Sequence, residues 1–147
     1  MSHIGKVKLQ VKNLPALKRA CKALGLVFHE GQTTWQTFYS QNPWYKGSTL
    51  PEYPCHHAIS VPNDPKAYEI GVLKVPGQEG FSLYVDTYGE EGAKMTARLG
   101  GDHCNKLVQE YGAQVAEEEA ETFTLQGWQI ERVVQKNGDI QVVLQGD

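Results

Sequence analysis

Three places along the chain bring together residue types that can do chemistry. Cys55-His56-His57 sets a potential nucleophile beside two imidazoles, each able to serve as a base or a metal ligand. His103-Cys104 repeats the pairing, and at a helix start the helix dipole would lower the thiol pKa. The third place, residues 31–53, holds Trp35, Phe38, Tyr39, Trp44, Tyr45 and Tyr53 among Gln, Thr, Ser, Asn and Pro. Such rings offer rigid area for stacking a base or anchoring a partner.

Each chemical reading has a demanding geometry. In a strand, His56 and His57 point to opposite faces and cannot ligate one ion unless the backbone turns. A Cys-His nucleophile pair also needs an orienting third group and an oxyanion hole. Cys55, His56, His57 and His103 therefore support a small Cys/His-dependent or metal-dependent hydrolase as the second reading, with no catalytic residue assigned and no metal site expected. The acidic runs Glu90-Glu91 and Glu117 to Glu119 are sequence neighbours, which diverge by about 100° on a helix and read as solubilising charge. No Gly-x-Gly-x-x-Gly or Walker pattern is present, so no cofactor is expected.

The elements that must position these groups are legible from periodicity. Val7, Leu9 and Val11 alternate with Lys8, Gln10 and Lys12 as in a half-buried strand. Asn13 as N-cap, Pro15 in the first turn and Leu14, Leu17, Cys21 and Leu24 at three- and four-residue steps predict a short helix closed by Gly25. A second strand opens at Leu26. Residues 57–61, 68–75 and 81–88 read as three further strands between turn-forming segments, most simply antiparallel. Residues 93–99 allow a short helical turn. A long helix is predicted between Asp102, its expected cap, and Thr124, with Leu107, Tyr111, Val115 or Ala116, Ala120 and Phe123 as its apolar stripe. Asn137-Gly138 then predicts a two-residue type I′ turn joining strands around Ile130 and Val142. The expected fold is α+β: a mostly antiparallel sheet, one short N-terminal helix and one long helix packed on a face, and a C-terminal β-hairpin. Residues 1–147 are expected to form one domain, with 31–56 an aromatic-rich insertion or a loop lying over the sheet.

Composition narrows the functions. With 147 residues, 40% apolar and 21% charged, the chain is of ordinary globular type, and no apolar run approaches the roughly 20 residues of a membrane span. The opening residues show no secretory h-region, so cytoplasm is the expected compartment. Cys21, Cys55 and Cys104, odd in number and widely spaced, are expected as reduced thiols. A net charge of -3 argues against general nucleic-acid binding. The lysines are nevertheless concentrated early, at Lys6, Lys8, Lys12, Lys18 and Lys22, where they could attract an anionic ligand such as a nucleotide.

Both ends of the chain resemble a family typified by the chloroplast hypothetical reading frame thirty-five protein, found also in cyanobacteria, other bacteria and phages. The resemblance rests on Met1-Ser2-His3-Ile4, the run Val7 to Leu14, Leu24-Gly25, Asn105 to Tyr111, Gly127-Trp128 and Lys136 to Ile140. It covers roughly half the chain; residues 32–57 depart from it. It implies a small α+β accessory protein and supplies no catalytic residues. The preferred expectation is a non-enzymatic binding or regulatory protein that engages a small anionic ligand or a protein partner through Trp35, Tyr39, Trp44, Tyr45, Tyr53 and Lys8. The phage relatives suggest a narrower form, a protein that sequesters a nucleotide signal or blocks a host factor. A subunit of a larger assembly is the third reading.

Overall fold

Alternating Val7, Leu9 and Val11 build strand β1 (Ile4–Val11), with Val7 and Val11 buried and Lys6, Lys8 and Lys12 exposed. In this computed structural model residues 4–41 and 53–146 are described, with only the backbone of Tyr39 and Gln41; Trp44 and Tyr45 lie outside the described residues. Helix α1 (Leu14–Ala23) starts where its cap predicts, the Asn13 Oδ1 accepting from the Ala16 N–H at 3.0 Å. It buries Ala16, Leu17, Ala20 and Cys21 and ends at Gly25, whose φ of 72° suits a glycine.

The described residues continue as β2 (Val27–Glu30), a single turn α2 (Phe38–Gln41), β3 (His57–Ser60), β4 (Ile70–Lys74), β5 (Phe81–Asp86), α3 (Gly89–Arg98), α4 (Asn105–Thr124), β6 (Gln129–Val134) and β7 (Ile140–Gln145). Five strands form an antiparallel sheet in the order β1-β5-β4-β3-β2, and β6 and β7 make a separate hairpin. The fold is α+β, as composition and periodicity predict. No helix among the described residues is long and apolar enough to cross a membrane.

Strand alternation divides the sheet into two faces. Val11, Ile59, Ile70, Val72, Leu83 and Val85 join Leu17, Met95, Leu99, Leu107 and Tyr111 in the main core beneath α1, α3 and α4. The Tyr111 hydroxyl accepts from the backbone N–H groups of Lys12 and Asn13, both at 3.1 Å, tying α4 to the β1-α1 junction. On the opposite face, Ala58, Gly71 and Tyr84 lie in one cross-strand row. Trp35, Cys55 and Tyr53 cover that row.

Three local expectations are corrected. The segment after β5 forms the ten-residue helix α3 rather than a turn at 93–99. The long helix starts at Asn105 after Cys104, which adopts the left-handed conformation (φ 55°); Asp102 is not its cap. The hairpin is not a two-residue type I′ turn, because Val134 pairs with Ile140 and only Gly138 has positive φ. Gln135 accepts from the Gly138 N–H at 3.0 Å and donates to the Asp139 carbonyl at 2.7 Å. This is a three-residue loop with a left-handed glycine, the form Asn-Gly adopts when one more residue is available before it.

Candidate functional site

The aromatic segment is divided by the fold. Trp35, expected as an exposed contact ring, is only 4% exposed. A Cβ on Gly71 would meet its indole at 2.6 Å, so the strand carries a glycine where the ring lies flat on it. Trp35 is thereby a core residue. Tyr53 is half-buried with its ring edge-on to Trp35 at 6.0 Å between centroids. Asp86 fixes the backbone that follows: its buried carboxylate accepts from the Phe38 N–H at 2.8 Å and the Tyr88 N–H at 2.9 Å. The segment up to Phe38 is thus held by hydrogen bonds to the sheet, and Tyr88 presents an exposed ring beside Phe38.

The Cys-His cluster is not assembled for nucleophilic catalysis. Cys55 is buried, its Sγ donating to the Gln32 carbonyl at 3.1 Å, and burial pushes the thiol pKa up to about 11. The His56 Nδ1 accepts from the Lys74 N–H and the His57 Nδ1 from the Gly31 N–H, each at 3.0 Å. His57 sits between Phe28 and Phe81, where desolvation lowers its pKa. Among the described residues no hydrogen bond joins a cysteine to a histidine, and no group of three His, Cys, Asp or Glu residues is placed to hold a metal. At the second pairing, His103 is exposed while Cys104 is buried. Burial raises its thiol pKa to about 11, the reverse of the dipole effect expected there. Cys21, deeper in the helical core, is raised to about 12.

Lys8 has a different setting. Between Lys6 and Gln10 strand β1 advances four positions while β5 advances two, from Tyr84 to Ser82, so β1 bulges away from its partner. The bulge and the loop between β4 and β5 enclose an open groove of about 760 Å³ lined by Lys6, Lys8, Leu9, Gln10, Gln78 and Ser82. That volume suits a small organic ligand. The Gln10 side-chain amide donates to the Glu79 carbonyl and ties the loop to the strand. Lys12 pairs with the Glu79 carboxylate at 3.4 Å, whereas neither Lys6 nor Lys8 makes an ion pair among the described residues. The groove therefore offers two cations outside any ion pair among the described residues, with side-chain amides, a hydroxyl and the Lys12-paired Glu79 around them and Leu9 as an apolar wall. Sequence reasoning selected Lys8 and missed Gln78 and Ser82, because the bulge that gathers them leaves the period-two pattern of β1 intact. Compared with known proteins, the chain matches no family model, no curated protein and no solved structure.

Proposed function

We propose that this chain is a non-enzymatic binding or regulatory protein that takes a small anionic ligand in the groove beside β1. The observation that carries this reading is the bulge that exposes Lys6 and Lys8, both without an acidic partner among the described residues, over a concave surface. Two ammonium groups and neighbouring amides recognise phosphate-like charge, while Leu9 gives one apolar wall for a base or acyl part. A nucleotide signal held there would be sequestered.

Nuclear magnetic resonance titration of the full chain with ATP and with inorganic triphosphate tests it. Shifts are expected at residues 6–10 and 77–79, and Lys6→Glu with Lys8→Glu should weaken binding at least about tenfold. Shifts elsewhere, or an affinity that survives charge reversal, would refute the proposal. A second reading, membership of a larger assembly, is favoured by exposed apolar side chains at both ends of β6: Leu125, 88% exposed, and Trp128 before it, and Val134, 66% exposed, at its close. Light scattering of the purified chain distinguishes a monomer from an assembly.

A further inference from the structure

The opposite edge of the sheet carries a chemical pair that the sequence conceals. Val27 on β2 stands opposite Ser60 on β3, and His29 opposite Ala58, so His29 and Ser60 are diagonal neighbours on the face away from the helices. The His29 Nε2 lies 2.6 Å from the Ser60 Oγ. Neutral imidazole with an unprotonated Nε2 accepts the hydroxyl proton at that distance, the geometry of a base that activates an alcohol. Among the described residues no other histidine hydrogen-bonds a hydroxyl.

Both side chains are only half-buried and open into a cleft of about 320 Å³. Val27 and Pro62 give it apolar walls. The turn after Ser60 places Asn63 in the left-handed conformation (φ 62°), and Asn63 also lines the cleft. Here the base, the hydroxyl and space for a small acyl group coincide. The site lies at the opposite edge of the sheet from the β1 groove.

We propose that Ser60 is a nucleophile activated by His29 and accepts the acyl group of small activated esters. In the step, the Ser60 Oγ forms a bond to the ester carbonyl carbon as its proton passes to the His29 Nε2. The bond from that carbon to the leaving oxygen breaks, and the alcohol departs with the proton returned by the imidazolium, leaving an acyl ester on Ser60. Among the described residues no carboxylate hydrogen-bonds His29. Without that orienting partner, acylation is slow and the acyl-serine persists.

The test is incubation of the full chain with 4-nitrophenyl acetate, followed by intact-mass measurement and peptide mapping. The expected result is one hydroxylamine-labile acetyl group on Ser60, with a 4-nitrophenolate burst of one equivalent. His29→Gln, which keeps a hydrogen-bonding side chain but removes the base, should slow acetylation about a hundredfold. Mapping of the unaltered protein locates the acetyl group even if that variant fails to fold. Acetyl groups confined to lysines, or Ser60 acetylated equally fast in folded His29→Gln, would overturn the proposal and leave the pair as a cross-strand hydrogen bond.

Discussion

The two faces of the five-stranded sheet are covered by different means. Helices α1, α3 and α4 cover one face with side chains that recur at helical spacing, so each buried residue is supported by neighbours on its own element. The other face is covered by an irregular segment whose packing centres on Trp35, with Tyr53 and Cys55 beside it. Its backbone is secured by particular polar acceptors, notably Asp86 and the Glu69 carboxylate, which accepts from the Gln36 N–H at 2.8 Å. A periodic cover shares its stability among many residues, whereas a point-anchored cover concentrates it in a few.

The sharpest way to break this comparison is Trp35→Ala. A buried ring on a glycine floor should cost about 3–5 kcal/mol in chemical denaturation, at least as much as Leu17→Ala in the helical core at about 2–5 kcal/mol. A loss under about 1 kcal/mol would make the irregular cover a loose lid. A smaller effect is expected from Gly71→Ala, where the added methyl must displace the indole; overpacking of this kind costs about 1–3 kcal/mol. Combining it with Trp35→Ala should remove most of that penalty, because the clash then has no partner.

The smallest effect belongs to the helical face, at His57. Desolvation, the largest cause, holds its pKa below the ordinary 6.5; the Lys18 and His56 charges act in the same direction, and the Glu30 charge opposes them. A group whose protonated form is disfavoured in the folded state contributes stability above its unfolded pKa and loses it as pH falls through about 6.5 towards the depressed folded value. Protonation would also remove the acceptor that holds the Gly31 N–H. Melting temperatures of the unaltered protein and His57→Gln should therefore converge as pH falls from about 7.5 to about 5.5. A difference that stays constant over that range would show that His57 does not titrate with folding.

Much of the helical face was legible because its signals are local. Asn13 caps α1, the stripe of Leu107, Tyr111 and Ala120 marks α4, and alternation marks β1. The sites were less so. Lys8 was visible as an exposed strand lysine, but the groove around it depends on two extra residues in β1 that a period of two cannot reveal. Phe123, assigned to the buried stripe, is 40% exposed beside Trp128.

The sequence by itself determined most of the elements and their order, the single turn α2 and the full helix α3 excepted, since caps, periodicity and turn residues act over a few positions of the chain. Even at Asn137-Gly138 it determined that the chain turns and left the loop length to the pairing of Val134 with Ile140. Only the tertiary structure decided that Trp35 is core, that Cys55 and Cys104 are buried thiols, and that His29 meets Ser60. Each outcome depends on which strand lies beside which, and residues such as His29 and Ser60, 31 positions apart, carry no local signal that they will touch.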